Sequence, residues 1–350
     1  MIIGLMIFVL YLNFFAGSSE LLRVVQNLNS MNYVFYYSLA IAATVVGVLA
    51  VAASWHSLLR SLDIQTNLKS LFIYTWAGSF VDLVVPCQAV CGEVTRIYLV
   101  RKENHQNYGA IAASSVTNRI VSYVVSSVGL LGAVFLLLSS SSAVPSYLLS
   151  VLVVALVGTS VYLAVLFYLA LGAQAAGKLT GFVIRLTETL RMGRFLPSDI
   201  SHKTEASLSV FHQGFDTFKK KPTLLVKPFV FQLLSFMLNV TAYVFVFNAL
   251  GLRTLQIDFF ILVYFIVGTI QVAAAIFSVG TLEIILTNIF VLYGIPIASA
   301  GLAASLLRVL TFWLPMIVGY VTVQAIGAKK LLGPKLVESP GADKDLPSNS

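Results

Sequence analysis

Long apolar runs alternate along the chain with short polar breaks. Tyr33–Ser54, Gly109–Leu138, Tyr147–Leu171, Leu224–Leu250, Phe259–Phe277 and Ile297–Ile326, with a shorter run at Met1–Ala16, are apolar at odd and even positions alike. A membrane-spanning helix needs about 20 mostly apolar residues. A membrane β-barrel would instead show segments of about ten residues that alternate in polarity. The pattern therefore predicts helices, whose backbone groups are satisfied internally in lipid. The expected fold is all-α, a polytopic transmembrane helical bundle of about eight spans.

Two apolar stretches are too short for simple spans. Leu71–Pro86 is interrupted by Gly78, Asp82 and Pro86, and Ser278–Pro296 by Gly280, Gly294 and Pro296. Matched Gly/Pro-broken segments in two halves point to a transporter's central site. The halves do match in order. Gly92-Glu93, the small stretch Ala112-Ala113-Ser114 and Arg119-Ile120-Val121-Ser122-Tyr123 are echoed by Gly280-Thr281-Leu282-Glu283, Ala303-Ala304-Ser305 and Arg308-Val309-Leu310-Thr311-Phe312. Glu93 precedes Arg119 by 26 positions and Glu283 precedes Arg308 by 25. The expectation is one transmembrane domain over residues 1–330, with pseudo-repeated halves at about 1–172 and 223–330 joined by segment 173–222. The order of residues does not say whether the copies are inverted.

Composition agrees with this. Hydrophobic residues make up 58% of the chain and charged residues 10%, against about 45–50% and about 25% in soluble domains. The net charge of +8 is unevenly placed. Lys178, Arg185, Arg191, Arg194, Lys203 and Lys219–Lys221 fall in segment 173–222, and Lys329, Lys330 and Lys335 near the C-terminus. The positive-inside rule puts both in the cytoplasm of a multi-pass plasma-membrane protein. Gly181–Met192, with Phe182, Val183, Leu186 and Leu190 opposing Arg185, Glu188 and Arg191, reads as an interfacial amphipathic helix. Residues 331–350 read as a disordered polar tail. Met1–Ala16 has no basic start and reads as a retained helix rather than a signal peptide. The basic residues are not interleaved with aromatics in a soluble module, which excludes nucleic-acid binding.

Ionisable groups inside apolar segments carry the functional information, because a charge near the bilayer centre costs at least about 2.5–3.5 kcal/mol. They are Asp82, Glu93, Arg96, Arg119, Glu283 and Arg308. Two readings of Arg119 and Arg308 stand together: cations that grip a phosphate or other anionic head group, or partners of Glu93, Asp82 and Glu283 in ion pairs. Glu93 and Arg96, one turn apart, form an i,i+3 pair or line a cavity. Pro86, Gly92, Gly280, Pro296 and Pro315 are expected hinges or helix breaks. Cys87 and Cys91 read as small apolar packing, and no metal site is expected. His212 and Asp216 fall in what reads as a charged cytoplasmic loop. Trp55 and Trp76 read as interface anchors, and Trp313, beside Pro315, as packing at a kink. No nucleotide-binding or common hydrolase motif occurs, so no cofactor is expected.

The stretch Val85-Pro86-Cys87-Gln88-Ala89-Val90-Cys91-Gly92-Glu93-Val94-Thr95-Arg96-Ile97-Tyr98-Leu99 resembles the pattern of proline, five residues, then Gly-Glu-x-x-Arg-x-x-Leu in the transmembrane region of lysylphosphatidylglycerol synthases and their stand-alone flippase-like relatives. Asn118-Arg119 is similar to a Glu-Arg of that family, Gly280–Glu283 to the end of its Pro-Gly-Gly-x-Gly-x-x-Glu motif, and Leu307–Pro315 to its closing Arg-aliphatic-aliphatic-Thr-aromatic-Trp-x-Pro motif. The departures are Ile276-Phe277-Ser278 for Pro-Gly-Gly, Cys91 for glycine, Val94 for proline and Asn118 for the acid. The aminoacyl-transfer domain of the larger members does not follow residue 330, so aminoacylation is not expected. The resemblance implies a flippase-like role with membrane lipids as partners: an anionic phospholipid or a polyprenyl-phosphate-linked glycan, with a separate lipid-modifying enzyme or glycosyltransferase beside it. The alternatives are a membrane enzyme or enzyme subunit acting on a lipid-linked substrate, and a small-solute secondary transporter.

Overall fold

The computed structural model describes residues 17–85, 90–104, 107–139, 200–253, 255–273 and 278–332, with scattered positions in 6–14 and 153–168. Every regular element among them is helical: α1 (Ser18–Asn27), α2 (Ser30–Ser61), α3 (Leu68–Val84), α4 (Val90–Asn104), α5 (Tyr108–Ser139), α6 (Ile200–Lys220), α7 (Val226–Ala249), α8 (Ile257–Ala273), α9 (Ser278–Leu292), α10 (Ile297–Arg308) and α11 (Leu314–Leu332). A π-turn, Val309–Trp313, joins α10 to α11. Ser30–Ser61, Tyr108–Phe135, Pro222–Ala249 and Ile297–Gly327 are long and apolar enough to cross a membrane. The expected spans Met1–Ala16 and Tyr147–Leu171, the helix Gly181–Met192 and the tail fall largely or wholly outside the described residues.

Helix starts follow the sequence. Asn29 caps α2 by accepting from the Asn32 N–H at 3.2 Å, and Asn67 caps α3 by accepting from the Lys69 N–H at 3.0 Å. These side chains satisfy donors that a helix N-terminus leaves open.

Elements of similar length stand at corresponding places in the two halves of the sequence. Helices α3 and α8 each have 17 residues, and α4 and α9 each have 15. At 1.5 Å per residue these arms are about 25 and 22 Å long, short of a hydrocarbon core of about 30 Å. Each pair is followed by one long element, α5 in the first half and α10–α11 in the second. Packing repeats the pairing: α2 lies on its counterpart α7, α3 on α11, and α8 on α5.

Phe259–Phe277 reads as one span because its interior holds Gly268 alone as a breaker. Helix α8 is described to Ala273 and α9 runs from Ser278 to Leu292, where the chain turns through Gly294, at φ +79°, as the sequence leads one to expect. Gly280 near the start of α9 has φ +88°, a conformation that glycine adopts readily and other residues do not. Pro296 is the N-cap of α10. Pro315 has no N–H to give Thr311, so an α-helix cannot continue through it unbroken. The chain widens instead, and the Leu314 N–H bonds to the Val309 carbonyl five residues back.

Small residues let the arms approach. A Cβ on Gly92 would lie 2.4 Å from the Gly78 carbonyl oxygen, and one on Gly319 would lie 2.5 Å from the Phe80 Cβ. In lipid, where apolar burial supplies little drive, such close backbone contact is a main source of helix association.

Three further expectations change. Trp55 and Trp76 are buried, not interfacial, and the Trp55 indole N–H donates to Ser114 Oγ at 3.0 Å. His212 and Asp216 lie on a helix, α6, whose Phe215 and Phe218 are buried. That helix packs on α5 because its apolar positions recur at helical spacing, with Gly214 against Ala113. Cys91 is disulfide-bonded rather than a free packing residue, and the chain's other cysteine, Cys87, lies outside the described residues.

Candidate functional site

Both acid–arginine spacings close into ion pairs. In the first half, the broken α3–α4 pair brings Asp82, Glu93 and Arg96 beside Arg119 on α5. Glu93 Oε1 accepts from Arg96 Nη1 and from Arg119 Nε, each at 2.7 Å. The Ser115 hydroxyl donates to Glu93 Oε2. Arg96 Nη2 reaches Ser79 Oγ at 3.3 Å and the Thr75 carbonyl at 3.4 Å. Asp82 Oδ1 accepts the Gly92 N–H at 2.7 Å. It therefore caps the start of α4, where the helix dipole favours negative charge. Two carboxylates and two guanidiniums balance.

In the second half, Arg308 Nε donates to Glu283 Oε1 at 3.1 Å, and Glu283 Oε2 accepts the Gly280 N–H at 2.7 Å. The Arg308 guanidinium also lies over the Phe312 ring, 4.6 Å from its centroid, a cation–π contact. The position one turn after the acid is Arg96 in the first copy and Leu286 in the second. The position one turn before the arginine is Ser115 in the first and Ala304 in the second. Removing those polar groups closes the second copy. Its Arg308 and Glu283 side chains are 2% and 4% exposed, against 22% and 19% for Arg119 and Glu93.

Asn118, which stands at the family's acidic position, does not turn to Arg119. Its Oδ1 accepts from Ser54 Oγ at 2.6 Å and from Gln232 Nε2 at 3.1 Å. The side chain thus ties α5 to α2 and α7. Pro86 lies outside the described residues. The other expected hinge positions, Gly92, Gly280, Pro296 and Pro315, all sit at helix starts or close helix contacts.

One turn beyond both arginines, a cavity of 350 Å³ opens between the halves. Helices α2, α5, α7 and α8, the π-turn and Pro315 form most of its wall. Neither arginine lines it, nor does any described carboxylate. Its polar groups come from Thr44, Tyr123, Ser126, Asn239, Tyr243 and Thr311, among others. Sequence reasoning quoted Tyr123 and Thr311 only as companions of the arginines, and it missed Asn239, Tyr243 and Tyr264. The available signal was weak: Asn239 is an uncharged amide in an otherwise apolar run, and tyrosine is common in membrane helices.

A family described as the lysylphosphatidylglycerol synthase TM region matches residues 1–319. A UPF0104 membrane protein of Pyrococcus horikoshii is 19% identical over 322 residues, covering 90% of this chain and 93% of that protein. A UPF0104 membrane protein of Methanocaldococcus jannaschii is 20% identical over 332 residues, covering 91% of this chain and 92% of that protein. No solved structure matches the chain.

Proposed function

The chain belongs to the lysylphosphatidylglycerol synthase transmembrane-region family, and from that premise we propose that it moves a lipid between the leaflets of the plasma membrane. The observation that carries this reading is the cavity of 350 Å³ between the two halves, where hydroxyl and amide groups interrupt a mostly apolar wall. Polar groups at membrane depth are costly and normally face a partner or a watery path. The head group enters the cavity, the tails stay in lipid, and the halves rock about the α2–α7 contact. Segment 173–222 and the C-terminus face the cytoplasm.

The two ion-pair clusters have different tasks in this account. Arg308, closed off with Glu283, fixes the π-turn that forms one cavity wall. Arg119 and Arg96, slightly exposed and sharing Glu93, receive the lipid phosphate by exchanging one carboxylate for another anion. Guanidinium suits this because its fork of donors matches carboxylate and phosphate alike. Arg119 lies four residues from Tyr123, on the same helix face and about 6 Å along the axis from the cavity wall.

The test is leaflet exchange of a fluorescent anionic phospholipid, and separately of a polyprenyl-phosphate sugar, in proteoliposomes. Exchange above that of protein-free vesicles, lost in Arg119→Ala, is the expected result. No exchange of either lipid by folded protein contradicts the reading.

A further inference from the structure

We propose that the cavity between the halves is a binding site for a neutral polyhydroxyl head group, such as a sugar or an inositol. This deepens the lipid-transport reading and rests on it for the lipid, but the site's chemistry stands on the cavity alone. Three observations converge.

The first is charge. Among the described residues that line the cavity there is no carboxylate, ammonium or guanidinium. An aminoacyl or other charged head group in this low-dielectric wall would be desolvated without a counter-ion, and burying an unpaired charge is far costlier than burying a hydroxyl. The nearby guanidiniums of Arg119 and Arg308 are turned to Glu93 and Glu283.

The second is hydrogen-bonding capacity. Tyr243 is 4% exposed and lines the cavity. Its hydroxyl and that of Tyr264 make no hydrogen bond among the described residues. Both residues line the cavity, so their hydroxyls are open to a partner that enters it. Thr44 and Thr311 spend their protons on their own helices, donating to the carbonyls of Ala40 and Leu307 at 3.0 Å each. What they offer the cavity is acceptor lone pairs. The wall therefore presents two tyrosine hydroxyls that donate or accept, beside threonine oxygens that only accept. A polyol, whose every hydroxyl does both, satisfies this mixture. An ammonium, which only donates, leaves the tyrosine protons without acceptors.

The third is surface and size. Tyr243, Tyr264 and Phe265 bring aromatic rings to the wall, against which the C–H groups of a sugar ring pack. The volume, 350 Å³, lies at the small end of ligand pockets, about 300–1,000 Å³, and suits one ring rather than a long glycan.

The test compares two water-soluble lipids with the same phosphodiester, the same net charge and the same short tails. Dioctanoyl phosphatidylinositol carries a neutral polyol; dioctanoyl phosphatidylserine carries a charged amine and carboxylate. Both are titrated into the purified full chain in detergent and read by native mass spectrometry, with free myo-inositol as a competitor. The expected result is a preference for phosphatidylinositol of roughly tenfold or more. Tyr243→Phe and Tyr264→Phe, which remove one oxygen each, lower phosphatidylinositol binding by roughly three- to tenfold and leave phosphatidylserine unchanged. Arg119→Ala weakens both lipids alike, because both carry the phosphate. Equal or tighter binding of phosphatidylserine overturns the proposal, as does unchanged phosphatidylinositol binding in a folded Tyr→Phe variant. Should one variant fail to fold, the other and the wild-type preference still decide. If free myo-inositol competes as well as the lipid, the polyol site stands and the lipid-transport reading falls. If the preference holds but no leaflet exchange occurs, the site again stands alone.

Discussion

Arg308 and Glu283 stand 25 residues apart in the chain and meet at 3.1 Å, with both side chains nearly sealed from their surroundings. The pair pins the end of α10 to the start of α9, and so holds the π-turn against the cavity. Arg119 and Glu93 repeat the relationship in the first half, but in a more open and more polar setting. One pair is closed and the other is more accessible.

Breaking the closed pair from one side leaves a buried charge without compensation. Glu283→Ala or Arg308→Met is expected to cost about 3–5 kcal/mol, read as a lowered thermal midpoint of the purified protein in detergent. Glu283→Leu combined with Arg308→Met removes both charges and is expected to be more stable than either single change. A double variant no better than the worse single would show that the pair's geometry, not its charge balance, holds the contact.

Gly92 is expected to tolerate no side chain. A Cβ there would lie 2.2 Å from Asp82 Oδ2 and 2.4 Å from the Gly78 carbonyl, so Gly92→Ala forces α3 and α4 apart. The expected cost is about 1–3 kcal/mol, with easier proteolysis of the hairpin. Gly132 on α5 has nothing within 4 Å of its Cβ position, so Gly132→Ala is the neutral comparison. Equal stability of the two variants would contradict the close approach.

Asn118→Leu strips the acceptor shared by Ser54 and Gln232. Ser54 keeps the Pro228 carbonyl at 3.2 Å, but leaving the buried Gln232 amide unmet is expected to cost about 1–3 kcal/mol. Asn118→Asp keeps the acceptor and is expected to lose less in a melting experiment. If Leu and Asp are equivalent, the amide does not hold α2, α5 and α7 together.

Much of this was legible in the letters. The glycine–acid–arginine order occurs twice, and both acid–arginine pairs form. The four longest apolar elements lie where the runs predicted them. What was not legible has physical causes. Trp55 and Trp76 were misjudged because span edges and buried hairpin contacts have the same letters. The cavity was missed because its walls come from residues as distant as Thr44 and Thr311. Each is an ordinary polar residue on its own helix, and they acquire a joint role only when the halves meet.

The central claim is that the cavity between the halves is the head-group path, and filling it tests that most directly. Ser126→Trp places an indole in the cavity from α5. Gly132→Trp adds the same bulk to the same helix at a position where a Cβ meets open space. Leaflet exchange in proteoliposomes is predicted to fall to the protein-free level for Ser126→Trp and to stay at the wild-type rate for Gly132→Trp, with both proteins melting as the wild type does. Undiminished exchange by Ser126→Trp would contradict the account and move the path elsewhere.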